Sequence, residues 1–447
     1  MYRVSEKDIS ATINDFAVFC DFIDEKKPVL SKRRAALGKN DLFEINSLLY
    51  YKKEVTAPNY QQESYPVIDL IFNLVLLGKL YVKVADSKGN VYLTGTERKD
   101  EFDSLNIYEK YAFLLETFWT WYDIEEIMCW GMGINHIEQV IQTFAVSTPG
   151  EELEKGAFSQ RIDYDVIFSS LSIIIHYFTY FGFCSYVPII EVDKKITRYD
   201  DSIKVVFPTE FGVNICKVLL DQNIADWNIL WLKHILMEDE KEIVPGIPYQ
   251  SKLSFIAIFA SKGEKLKAEK FYKERKKAGF IPLYKFLQPI FPTGALNKTV
   301  TTVINKVVKG SYVFKVSLGR GVWRKIALSY KHTLEDLHNA VQEAFDFDND
   351  HLYSFFMDAK RYSKHAYHLP MSDEGPLVDG VTIGELELYE GQKILYFFDY
   401  GNSWEFEVQL LKINKDEIPP REPKVIEAKG EAPRQYEYYD DDDDEYI

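Results

Sequence analysis

The sequence predicts an α+β protein: a mostly helical N-terminal region with winged-helix-like units, then a C-terminal α+β domain. Three observations predict it. From Ser311 onward, apolar residues alternate with a period of two, the pattern of half-buried strands. Before that point most apolar runs recur at helical spacing, interrupted by two strand-like pairs. Charge divides at the same place: Ser311 to the end holds 15 Lys+Arg against 28 Asp+Glu, or −13 of the chain's −16.

A chain of 447 residues with 46% apolar and 15% aromatic residues exceeds the usual size of one domain, so two or three are expected, and is apolar enough for real cores. The expected divisions are a helical region 1–222, a helical connector 223–309, the α+β domain 310–436 and an acidic tail 437–447. Cys20, Cys129, Cys184 and Cys216 are scattered without a C-x-x-C pair, which fits a reduced, cytoplasmic protein. No basic, apolar leader opens the sequence. The stretch from Val166 to Ile190 lacks Asp, Glu, Lys and Arg, yet its Ser, Thr, His and Pro residues favour a buried helix running into a strand through Gly182 over a membrane span.

In order along the chain, residues 1–59 read as short helices with polar breaks. Lys26, Lys27, Lys32, Arg33, Arg34 and Lys39 make this opening basic, which means a solvated surface or, alternatively, a phosphate contact. An apolar helix from Val67 to Leu77 meets Gly78, then strand-like LYVKV, a DSKGN turn, VYLT and another helix. The run through Ile173–Tyr180, Gly182, SYVPII and IKVVFPTEFGVNICKVLL repeats that order. Helix, glycine, strand, turn, strand, helix is the order of a winged-helix unit, which binds DNA or serves as a protein scaffold.

Trp227, Leu230, Trp231, His234 and Ile235 then fall at helical spacing and are expected in a core. From Lys252 to Lys277 nine basic residues accompany three acidic ones. Lys270, Lys273, Arg275, Lys276 and Lys277, with Lys32, Arg33 and Arg34, are the residues a nucleic-acid contact would use. Pro289, Pro292 and Gly294 mark a link to the last domain.

In that domain Tyr312, Phe314, Val316 and Leu318 line one face of a first strand, and Trp323–Ser329 forms a second. Thr333 is a helix N-cap with Asp336 completing a capping box, and Leu334, Leu337, Val341, Ala344 and Phe345 give the helix its apolar face. HLYSFFM is a third strand, a short helical turn follows near Thr382, and a hairpin turns at Gly401-Asn402. Its second strand points Trp404, Phe406, Val408 and Leu410 one way. These elements predict an antiparallel or mixed sheet packed on one helix, in a β-grasp-like arrangement.

The segments WRK, TLEDLHNAVQEAF, HLYSFF and YFFDYGNSWEFEV, over about residues 311–436, resemble the plasmid pRiA4b ORF-three-like family. That family shows a W-R-R strand, an L-x-x-L-H-x-x-I-Q helix, an H-L-H-x-F strand and a Y-D-F-G-D-x-W-x-H hairpin. The resemblance implies an α+β domain of plasmids and mobile elements without an established activity. Lys325, Tyr353, Asn402 and Phe406 depart from its pattern, so any metal or acid/base cluster built on those positions is lost here.

No complete catalytic motif is present. Asp346, Asp348 and Asp350 begin like a calcium loop, but His351 takes the place of its glycine. GMG at 131–133 is no dinucleotide fingerprint. Neither a metal nor a cofactor is called for. His338, His351 and Asp399 are the weaker, catalytic alternative, and His338 is rather expected as a core histidine on the helix's inner face, bonded to a strand. Trp323, Arg324, Tyr400 and Trp404 are candidate anchors for a protein partner, or else core aromatics with a snorkelling arginine. The expected role is binding rather than catalysis. A protein docks on the aromatic hairpin, with DNA binding by the N-terminal region as the alternative and no membrane involved.

Overall fold

The computed structural model describes residues 2–31, 34–86, 88–124, 133–154, 172–188, 203–236, 243–247, 274, 277, 279–301, 307–319, 321–363, 365–372 and 376–436. They form two compact units, one holding most of the chain up to Thr302 and the other built on Val303–Ile447.

The N-terminal unit opens with a single long helix, α1 (Glu6–Lys26), where short helices with polar breaks were expected. Polar side chains within it are buried and have partners. Thr12 donates to the carbonyl of Tyr180, and Asp15 accepts the amides of Tyr50 and Tyr51 at 2.7 and 3.0 Å. With these satisfied, Ile9, Phe16, Phe19 and Ile23 make one uninterrupted buried stripe. Next come α2 (Lys39–Leu48) and α3 (Pro66–Leu77), whose proline occupies the first turn, where no N–H is needed. Strands β1 (Tyr81–Ala85) and β2 (Val91–Gly95) pair, and α4 (Glu97–Asp103) and α5 (Ile107–Trp121) follow. Asn106 caps α5 through a capping box with Glu109.

After α6 (Gly133–Val146), β3 (Leu153–Glu154), α7 (Ser172–Tyr180), β4 (Cys184–Pro188), β5 (Ile203–Pro208) and α8 (Glu210–Asp221), the order helix, strand, strand, helix has appeared twice. The second copy carries a three-stranded antiparallel sheet in the order β3-β5-β4. Gly182 has φ +79°, and a Cβ there would lie 2.7 Å from the carbonyl oxygen of Asp8, so the close approach to α1 needs glycine. Within its described residues, 172–188, the charge-free run is a helix turning through Gly182 into a strand. Among the described residues no helix is long and apolar enough to cross a membrane.

Helices α9 (Ile224–Trp227) and α10 (Ile229–Leu236) carry the tryptophan stripe, which is only partly core. Trp227 is buried, but Leu230 is exposed, and the side chains of His234 and Ile235 lie outside the described residues. The basic run 252–277 does too, apart from the helical Glu274 and Lys277. A strap of residues 279–301, with α11 (Tyr284–Leu287), returns to α4 and α5. Glu101 accepts the amide of Thr301, Glu109 those of Asn297 and Lys298, and Glu116 that of Leu283.

Among its described residues the C-terminal unit has one seven-stranded antiparallel sheet and one helix. Its strands are β6 (Ser311–Ser317), β7 (Trp323–Ser329), β8 (Tyr353–Phe356), β9 (Ala366–His368), β10 (Lys393–Phe398), β11 (Trp404–Asn414) and β12 (Lys424–Lys429). They lie in the order β12-β7-β6-β11-β10-β8-β9. A β-grasp would set its first and last long strands side by side in parallel. Here Ser317 pairs antiparallel with Glu407 and Ser311 with Asn414, so that arrangement does not form. Helix α12 (Leu334–Phe345) starts at Thr333, whose side chain accepts the amide of Asp336 in the expected capping box. Its face Leu334, Leu337, Val341 and Phe345 packs on Tyr312, Phe314, Val316, Phe406, Val408 and Leu410. Near Thr382 the chain forms hydrogen-bonded turns rather than a helical turn, with Glu385 accepting both the amide and the hydroxyl of Thr382. Strands β9 and β12 were not expected. β12, KVIEAK, is exposed at all six positions and so lacks the alternation that reveals a strand.

Candidate functional site

His338 sits on the inner face of α12 and is buried. Its Nε2–H donates to Asn349 Oδ1 at 2.6 Å, and its Nδ1 accepts from the Tyr396 hydroxyl at 2.6 Å. Gln342 in turn donates to that hydroxyl, and Asn349 donates on to Asn339. With the imidazole neutral, each contact of this relay has a donor facing an acceptor and the Tyr396 hydroxyl proton is used as well. Burial lowers the His338 pKa to about 4, against the opposing pull of Asn349. The histidine is a core group bonded to a strand, the plainer of its two expected roles.

His351 lies in a different environment. Its Nε2 is 2.9 Å from the Tyr436 hydroxyl and 3.5 Å from carboxylate oxygens of both Asp350 and Asp399. Tyr436 also meets Asp350 at 2.9 Å. The ring of Phe398 stands 6.1 Å from each histidine, and His338 and His351 share no hydrogen-bond partner. The structure therefore joins His351 to Asp399 and leaves His338 apart.

Asp399 shapes the β10–β11 turn. With φ +54° it enters the left-handed region, and its carboxylate accepts the amides of Gly401 and Asn402 and the side-chain amide of Asn402 at 2.7 Å. Burial alone would raise its pKa; the donors of Asn402 and Gly401, with His351 nearby, hold it below the usual carboxylate value. Ser403, also left-handed at φ +58°, completes the turn. Among the described residues, no group of three or more His, Cys, Asp or Glu side chains is arranged to hold a metal, the Asp346-Asp348-Asp350 run included.

The four candidate anchors do not share a surface. Arg324 is buried on the helix side of β7. It donates to the carbonyls of Ala344, Trp323, Lys429 and Gly430 and lies 4.7 Å over the Phe345 ring. It staples α12 and β12 to β7 and is no docking arginine. Trp404 also faces inward, against Phe347 at 4.9 Å, and its buried indole N–H meets no acceptor among the described residues. Trp323 lies on the opposite, solvent side of the sheet, beneath Lys315 and Lys325. Tyr400 is 38% exposed beyond the hairpin, its hydroxyl 2.8 Å from Ser354 Oγ, which also meets His368 Nδ1 at 2.9 Å.

Beside Tyr400 the structure adds residues that the sequence did not single out. Tyr362, 65% exposed, stands 6.4 Å from Tyr400, ring to ring. Arg361 lies 4.3 Å over Phe397 and 4.8 Å over Tyr362, and is tied to Ser403 and Glu405. These rings cover a small apolar cluster of Phe356, Ala366 and Phe397. The only signal in the sequence was an isolated Arg-Tyr in a polar loop. Of the nucleic-acid candidates, Arg34 and Lys277 are exposed, while Lys32, Arg33, Lys270, Lys273, Arg275 and Lys276 lie outside the described residues.

Residues 311–436 match the family described as Plasmid pRiA4b ORF-3-like protein. Among solved structures the chain is similar to a protein of unknown function, MM3350, from Methanosarcina mazei Go1. The identity is 26%, over 28% of this chain and 71% of that one, with a TM-score of 0.23. No curated protein matches.

Proposed function

With residues 311–436 a plasmid pRiA4b ORF-3-like domain, we propose that the protein is a non-catalytic interaction protein of plasmids or mobile elements, working in the cytoplasm. Its C-terminal unit docks a protein partner at the tip of the β10–β11 hairpin. The observation that carries this reading is the exposed pair Tyr362 and Tyr400, held 6.4 Å apart with Arg361 stacked beside them. Rigid aromatics and an arginine, already ordered and resting on a small apolar base, bind with little entropy left to lose. The docking centre thus moves from Trp323, Arg324 and Trp404 to Tyr400 and its neighbours. The N-terminal unit contributes two winged-helix-like segments as a scaffold. Supporting a binding role over catalysis, His338 is neutral and engaged on both ring nitrogens. The test is affinity capture from an extract of the source cell with the wild type and with Tyr362→Ala/Tyr400→Ala. Loss of a specific, stoichiometric partner at unchanged melting temperature supports the reading; retention of every captured protein by the double variant overturns it.

A further inference from the structure

The solvent side of the seven-stranded sheet is charged opposite to the unit that carries it. Pairing register and alternation place Lys315, Lys325, Lys393, Lys412, Lys424 and Lys429 on this side, opposite the helix. Only Glu405, Glu407 and Glu427 share the same strands' outer positions, and all three are engaged. Glu407 takes Lys393 at 2.6 Å, Glu427 takes Lys325 at 2.6 Å, and Glu405 takes Arg361 at 3.5 Å. Lys315, Lys412, Lys424 and Lys429 meet no carboxylate among the described residues. Four uncompensated lysines thus face one way on a segment whose net charge is −13.

At the centre of this face two of the lysines oppose each other. Lys315 and Lys325 are directly paired across β6 and β7, a like-charge juxtaposition that costs stability in a sheet. Both ammonium groups are drawn to the same indole, lying 5.3 and 5.5 Å from the centroid of the Trp323 ring. Lys429 is the cross-strand partner of Trp323, and Lys424 lies farther along the same edge. Successive rows on one face of a sheet are about 6.8 Å apart. The lysines are therefore spread over several rows and strands of the face, beside an aromatic ring.

We propose that this sheet face binds single-stranded nucleic acid. A backbone phosphate gives Lys315, which has only the indole quadrupole, a stronger partner and offsets its repulsion with Lys325, which Glu427 already pairs. As the Lys315 ammonium moves to the phosphate, the face of Trp323 becomes free to stack a base. A sheet face with a half-exposed ring among lysines suits unpaired bases; a duplex hides the faces of its bases and calls for an element that enters a groove. The acidity elsewhere on the unit opposes the approach at long range, but screening confines that repulsion to about 8 Å at physiological salt. The Tyr362–Tyr400 cluster covers Phe397 at the β10–β8 end of the same sheet side, whereas this inference uses Lys315, Lys412, Lys424 and Lys429 on β6, β11 and β12 and stands without the docking reading.

The full chain is titrated against a fluorescein-labelled oligothymidylate by fluorescence anisotropy at about 50 and about 200 mM salt. The wild type is expected to bind, with log K falling by roughly 0.7 per log unit of salt for each phosphate engaged, or about 3 for four lysines. Lys315→Glu and Lys412→Glu, both on the surface, are each expected to weaken binding about tenfold and flatten the salt slope by about 1. Trp323→Ala is expected to weaken it about tenfold with the slope unchanged. Absence of binding at low salt, or equal affinity in both glutamate variants at unchanged melting temperature, overturns the proposal. Displacement of the oligonucleotide by poly-glutamate at equal charge concentration also overturns it, in favour of an acidic polypeptide.

Discussion

His338 lies flat on Tyr353, with ring centroids 3.6 Å apart and planes 3° from parallel. Stacked this way and hydrogen-bonded at both nitrogens, the imidazole is a filled part of the core. His338→Ala should destabilise the C-terminal unit by about 3 kcal/mol, since it leaves a cavity and strands Tyr396 and Asn349. Urea unfolding followed by near-ultraviolet circular dichroism measures this.

The pH dependence of that site has a definite sign. The folded pKa, about 4, is below the unfolded value near 6.5. Its contribution to stability is therefore complete above about 6.5 and disappears as pH falls through 4. In NMR titration the His338 ring signals should stay in the neutral position throughout the range from pH 8 to 5. A midpoint near 6.5 would contradict the buried relay.

Glu116 runs in the opposite sense. Burial raises its carboxyl to about 7, while the amides of Leu283 and Tyr284 pull the other way. A raised folded pKa gives stability that is complete below the unfolded value of about 4.5 and lost as pH rises through about 7. Between pH 5 and 8 the N-terminal unit should lose on the order of 2 kcal/mol through this group. Glu116→Gln should flatten that part of the profile in melting curves taken across the range.

Arg324→Ala tests the reassignment of a residue that looked like an anchor. It removes four hydrogen bonds to backbone carbonyls from one buried cation. A loss of about 3 kcal/mol is expected, with early hydrogen exchange along β12 and the end of α12. A variant that melts like the wild type but loses a partner would restore the anchor role.

Gly212→Ala should be severe for a reason that helix propensity does not convey. A Cβ at that position would meet the carbonyl oxygen of Phe183 at 1.8 Å, backbone against side chain. The first turn of α8 must move away from the turn after α7, costing about 3 kcal/mol or more. Differential scanning calorimetry would show it as a drop confined to the N-terminal unit's transition.

What could be read in the sequence follows from which residues report on their own surroundings. Strands β6 and β11 have one face in the core and one in water, so their alternation was visible. Thr333 and Asp336 announced the start of α12 because a capping box is a local interaction. Asp15 and Thr12 look like surface residues in the sequence, because their partners come from the distant Tyr50, Tyr51 and Tyr180. Arg324 was misplaced for the same reason: its acceptors sit up to 106 residues away. The Tyr362–Tyr400 tip depends on a contact between loops, which no periodicity encodes.

The strand order also sets a timetable. β6 and β7 leave the ribosome as a ready hairpin, but the flanks they need arrive much later. Ser317 waits about 90 residues for Glu407, and Arg324 waits longer still for the carbonyl of Gly430. At ordinary elongation rates that is on the order of ten seconds with both hairpin edges unpaired. A nascent chain stalled between those points would expose Phe314, Val316 and Ile326 to any neighbour able to add a strand, and a chaperone that shields them should raise the yield of the folded protein.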